Sequence, residues 1–148
     1  MSKMFAPDLT QHAPRSPRVR LGGYAHLPRL LDKARAFATG KHGEYNYNCP
    51  LDEEFFEFTG ITSKAFLAAV KTGKSDTEML ARVNAHSKRM PLDVVAWSTW
   101  MESRCPGSAA AHGRFQDVLA KLAPERTDIA TFFERLDLDD YVSFGGRG

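Results

Sequence analysis

Between Pro14 and Arg35 the chain sets Arg15, Arg18, Arg20, Arg29, Lys33 and Arg35 around a Gly22-Gly23-Tyr24 turn. Guanidinium groups grip carboxylates and phosphates through paired donors, and glycines let a backbone approach a ligand closely. The chemistry this suggests is the holding of an anion, with Arg15, Arg18, Arg29 and Tyr24 as ligand-binding residues. Asp32, Lys33, Tyr45 and Cys49 are the candidate catalytic groups nearby, able to orient a ligand, shuttle a proton or act as a nucleophile. Cys49 precedes Pro50 and the first turn of a predicted helix, where the helix dipole favours a thiolate. Asp52, Glu53 and Glu54 share that turn and oppose it, so an inert thiol is the expectation at this position.

Other site classes find less in the residues. Gly22-Gly23 lacks the spaced glycines of a dinucleotide fingerprint and the Gly-Lys-Ser/Thr of a phosphate loop. The histidines at 12, 26, 42, 86 and 112 make no i, i+4 pair, and there is no Cys-x-x-Cys, so no metal site is expected. Ser16 and Ser98 have no nucleophile-elbow context. Asp52-Glu53 and Asp139-Asp140 are sequence neighbours that point apart on a helix, so neither makes a glycosidase pair. No cofactor is implied, and the residues leave open whether the pocket only binds or also catalyses.

Charge is distributed in blocks. Residues 1–42 carry eight Lys and Arg against two Asp, net +6, whereas residues 43–60 carry five acids and no base. The two blocks could neutralise each other across the fold, or the basic one could face a ligand. The total of +2 is too mild for bulk nucleic-acid binding. No stretch reaches the ~20 apolar residues of a membrane span, and Met4-Phe5-Ala6 is too short for a secretory core. Two cysteines make no disulfide framework, so a cytoplasmic setting is expected.

The elements that must position these groups read as helices. Residues 1–20, with prolines at 7, 14 and 17, read as an extended N-terminal arm. Leu27, Leu30, Leu31 and Ala34 then begin a helical period with Arg29, Asp32, Lys33 and Arg35 off its apolar face. Short helices follow around Leu51–Phe58, Ser63–Lys71, Ser75–Val83, Pro91–Met101 and Ala111–Leu122. The last is expected to start at Thr127, with the tail from Asp137 fraying. Val94, Val95, Trp97, Trp100 and Met101 form an arc wide enough to be largely buried. The fold class expected is all-α: a single compact domain of six or seven short helices spanning 21–142, with the arm before it and a flexible tail at 143–148.

Several runs carry a resemblance across most of the chain. They include Pro14-Arg15-Ser16-Pro17, Leu21-Gly22-Gly23-Tyr24, Leu27-Pro28-Arg29, Gly43-Glu44-Tyr45, Cys49-Pro50-Leu51-Asp52, Phe58-Thr59-Gly60-Ile61 and Gly73-Lys74-Ser75-Asp76. In these the chain resembles the bacterial domain-of-unknown-function family 5069. The resemblance implies a small stand-alone bacterial protein and brings no assigned activity or catalytic residues. Two functions therefore stand beside each other: a pocket for a small anionic metabolite, and a non-catalytic module in which the arm docks on a partner or a second copy.

Overall fold

The computed structural model describes residues 4–148, and among them seven helices follow one small hairpin. The hairpin pairs β1 (Arg20–Leu21) with β2 (Tyr24–Ala25), antiparallel, Leu21 facing Tyr24. Gly22 and Gly23 turn it with φ of 59° and 87°, the left-handed pair that matches strand twist in a two-residue loop. Ser98, fully buried, fastens this turn to the body: its Oγ donates to Gly23 O at 2.7 Å and accepts from Ala25 N at 2.9 Å. A Cβ at Gly22 would run into the Leu80 side chain on top of its positive φ. Gly22→Ala should therefore cost about 2 kcal/mol in urea unfolding; a loss under about 0.5 kcal/mol would mean that the turn relaxes freely.

The helices are α1 (Leu27–Ala38), α2 (Pro50–Thr59), α3 (Ser63–Lys71), α4 (Asp76–Ser87), α5 (Pro91–Ser103), α6 (Ala109–Leu122) and α7 (Phe132–Ser143). The chain is predominantly α-helical, and most boundaries follow local chemistry. Proline opens α2 and α5, where a missing N–H costs nothing. Ser75 and Glu78 close a capping box on α4, and Ser108 caps α6 through the Ala111 amide. Gly60 ends α2 at φ 77°.

The final helix departs from the sequence expectation at both ends. It begins after Thr131, not Thr127, because Thr131 and Glu134 form a reciprocal capping box, whereas three residues beyond Thr127 lies Ala130. It also continues through Asp137 to Ser143 instead of fraying. Asp137 is held there by Arg18 of the N-terminal segment and Asp140 by Arg29 of α1.

One core joins α1, α2, α3, α4, α5, the hairpin and Phe133 of α7. Its centre is aromatic: Tyr24 lies edge-on to Phe55 and Trp97, and Trp97 stacks on Phe58 at 4.9 Å. A second, smaller core gathers Phe115, Leu119, Ile129 and Leu138 between α6 and α7. The arc on α5 is not largely buried as expected. Val94, Trp97 and Met101 turn inward, while Leu92, Val95 and Trp100 face outward, because the hairpin and α7 cover only one side of the helix. Among the described residues no helix is long and apolar enough to cross a membrane.

Helix α1 is the axis of the fold. Every residue from Leu27 to Ala36 is buried, including Arg29, Asp32, Lys33 and Arg35. The segment before the hairpin covers its polar side: Pro7, Leu9, Pro14 and Pro17 are buried, Leu9 N donates to Lys41 O, and His26 N donates to Pro17 O.

Candidate functional site

Five arginines of the first 35 residues each meet a carboxylate of the same chain. Arg15 binds Asp32 through its Nε and a terminal nitrogen (3.1 and 3.0 Å) and reaches Asp76 at 2.8 Å. Arg35 binds the other oxygen of Asp76 at 2.8 Å. Arg29 forks onto Asp140 at 2.7 and 3.1 Å. Arg18 meets Asp137 at 3.0 Å, and Arg20 meets Glu102 at 3.1 Å. Burial opposes the charge on Arg15, yet its bonds to Asp76 and Asp32 raise its pKa further; the same bond to Arg15 holds the Asp76 carboxyl below its usual range. The acceptors come from α1, α4, α5 and α7, far apart in sequence, and not from the acidic run at 43–60.

Arg29 donates to Arg15 O at 3.3 Å, but the side chains of Arg15, Arg18, Arg29 and Tyr24 do not converge on one cavity. Tyr24 is fully buried among aromatic rings, and its hydroxyl meets Ser87 Oγ at 3.1 Å. Arg15 and Asp32 line a broad cavity of about 700 Å³ at the start of α4, whereas Arg29 lines a second of about 500 Å³. Three of the four candidate catalytic residues, Lys33, Tyr45 and Cys49, share that second cavity with Arg29; Asp32 does not. The cavity opens between α1, the 43–49 turn and the end of α7, with Leu51 and Leu136 among its apolar walls.

One wall of this cavity is a buried polar cluster built on Asp52, in the first turn of α2. Its carboxylate accepts from His26 Nε2 at 2.7 Å, Lys33 Nζ at 2.8 Å, Asn48 N at 2.9 Å and Cys49 N at 3.2 Å. Burial alone would raise the Asp52 pKa; the bonds from His26 and Lys33 outweigh it and hold the group far below the usual range. Burial lowers the His26 pKa against the pull of Asp52, so the ring is neutral. A neutral ring beside a carboxylate must carry its proton on Nε2, which leaves Nδ1 as a bare lone pair. His26 is 1% exposed, lines the cavity, and its Nδ1 has no hydrogen-bond partner among the described residues. His42 Nδ1 is likewise without one, but that ring is half-buried and leans on Phe37.

Lys33 extends the cluster to sulfur, its Nζ lying 3.2 Å from Cys49 Sγ. At the other side Tyr45 donates to Asp140 at 2.9 Å while its ring lies against the Arg29 guanidinium. Burial, then the Asp140 charge, push the Tyr45 hydroxyl well above its ordinary pKa, so it serves as a donor and not as a base. Sequence reasoning did not single out His26 or Asp52 as site residues. The signal open to it was spacing: His26, Arg29 and Lys33 fall at i, i+3 and i+7, on one face of the helix and its first cap.

No curated protein matches the chain. A family model described as Domain of unknown function (DUF5069) matches residues 11–142. That span takes in the hairpin, all of α1 to α6, and α7 up to its last residue, together with His26, Lys33, Cys49 and Asp52. On that match the chain belongs to the DUF5069 family.

Proposed function

We propose that this protein binds a small molecule in the cavity of about 500 Å³ bounded by α1, the 43–49 turn and α7. The volume suits a metabolite-sized ligand. The observation that carries the reading is His26, a buried residue lining the cavity whose Nδ1 has no hydrogen-bond partner among the described residues. A buried acceptor left unpaired costs about 1–3 kcal/mol, which a ligand N–H or O–H would recover. Leu51 and Leu136 supply the apolar contact for the ligand's body.

An anion held by Arg15, Arg18 and Arg29 gains less support, because each guanidinium already faces an aspartate that offsets its charge. In the cavity itself Arg29 and Lys33 are offset by Asp140 and Asp52, with Glu44 and Asp139 also on the wall. The ligand this wall suits is chosen by a hydrogen-bond donor and by shape, not by negative charge. Docking of residues 1–20 on a partner also gains less support, since Pro7, Leu9, Pro14 and Pro17 are packed against the chain's own body.

Thermal-shift screening with neutral and cationic polar metabolites is the test. A ligand present at about 100 times its Kd adds about 2.7 kcal/mol to stability, a rise of about 5–10 °C in Tm for a chain of this size. Ser143→Trp, at an exposed position on the cavity rim, should abolish the rise and leave the unliganded Tm nearly unchanged. No rise with any compound at millimolar concentration, or an equal rise in Ser143→Trp, would count against the reading.

A further inference from the structure

Cys49 has a setting that its sequence context does not disclose. We propose that its thiol is a nucleophile that accepts an acyl group from a thioester or similarly activated acyl donor lodged in this cavity, an inference that rests on the cavity being a ligand site. Three observations bear on it independently of one another. The sulfur is on the cavity wall at the N-terminal end of α2, where the helix dipole favours negative charge. Lys33 Nζ stands 3.2 Å from Sγ while Asp52 grips the same ammonium at 2.8 Å, so a donor is fixed beside the sulfur. His26, on the same wall, has an Nδ1 without a hydrogen-bond partner among the described residues, an acceptor for a donor group on a bound ligand.

Of the acidic first turn, which opposed a thiolate on the sequence alone, two of the three carboxylates are engaged elsewhere and Glu53 faces solvent. Asp52 gives its charge to Lys33 and His26, while Glu54 meets Arg104 at 3.4 Å. Dithiol exchange is a poorer match, because the other cysteine, Cys105, sits exposed in the α5–α6 loop and does not line the cavity.

The step balances. Cys49 Sγ attacks the carbonyl carbon of the donor as its proton leaves to water at the cavity mouth, and Lys33 steadies the charge on sulfur. The Sγ–C bond forms, the bond from that carbon to the leaving thiol sulfur breaks, and the leaving thiolate takes a proton from water. An acyl group thus moves from one sulfur to another, with no oxidant or reductant.

The test compares the two cysteines of one folded chain. Full-length protein is incubated with the acetyl thioester of N-acetylcysteamine, quenched in acid, and the adducts are mapped by peptide mass spectrometry. Cys49 should acquire acetyl at least about tenfold faster than Cys105, although Cys105 is the more exposed. Lys33→Arg keeps a cation for Asp52 but shifts the donor off sulfur, and should slow Cys49 by about tenfold while leaving Cys105 untouched. No adduct at Cys49, an adduct formed no faster than at Cys105, or an unchanged Cys49 rate in Lys33→Arg would overturn the proposal. A ligand that raises the Tm of wild type and Cys49→Ser alike, with Cys49 inert to the thioester, would remove the acyl chemistry and leave the binding cavity standing.

Discussion

Asp52→Ala will be the most damaging single substitution among the polar residues. The carboxylate is fully buried and takes four donors, two of them side chains that are themselves buried. Its removal leaves the Lys33 ammonium without a counter-charge and three N–H groups without an acceptor. Breaking a buried ion pair from one side costs about 3–5 kcal/mol. For a chain of this length that is a fall of roughly 10–15 °C in Tm. The double variant Asp52→Ala, Lys33→Met should recover about half of the loss, since the stranded charge goes but the orphaned amides of Asn48 and Cys49 and the His26 Nε2–H remain. Urea titrations of these two variants, Lys33→Met and the wild type close the cycle. A loss below about 1 kcal/mol in the single variant would mean that water reaches the cluster and the site is not the dry wall described here.

Acidification should weaken the fold in two stages. Burial lowers the His26 pKa, so in the unfolded chain this ring gains a proton near pH 6.5 that the folded ring refuses. Its contribution is complete above pH 6.5 and is lost as the pH falls below it, at a slope approaching ~1.4 kcal/mol per pH unit. Asp52 and Asp76 have the second stage: both are lowered from 3.8, so the unfolded carboxylates take protons first and stability drops again below about pH 4. Asp76 is about one-third exposed, and its share is the smaller for solvent screening. Chemical unfolding from pH 8 to pH 3 should show both limbs in the wild type, and His26→Gln should be flat between pH 7 and 5. A wild-type curve already flat over that upper range would remove the neutral, Nε2-protonated ring from the account.

Local chemistry made much of the fold legible in advance. Ser75 with Glu78, Pro50, Pro91, Ser108 and Gly60 mark helix ends through groups within a few residues of each other, and the structure uses all of them. Thr131 with Glu134 is an equally local signal and a better one than Thr127, which lacks an acid three residues on. The exposure of Val95 and Trp100 could not be read from periodicity, because an all-apolar helix does not say which side its neighbours cover. For the site, the sequence pointed to Lys33, Tyr45 and Cys49 and these share a cavity; it pointed equally to Tyr24, which is core.

By itself, then, the order of residues determined where most helices begin and end, that a basic block precedes an acidic one, and that Gly22-Gly23 makes a turn. Those are short-range matters, settled by backbone sterics and by donors and acceptors within one turn of helix. Which charges remain free was decided only by folding, because the partners of Arg15, Arg18 and Arg29 lie 17 to 119 residues away and electrostatics acts through space, not along the chain. The same holds for His26 and Asp52: 26 residues apart, they become a hydrogen-bonded pair on a cavity wall only when α2 packs beside the first turn of α1.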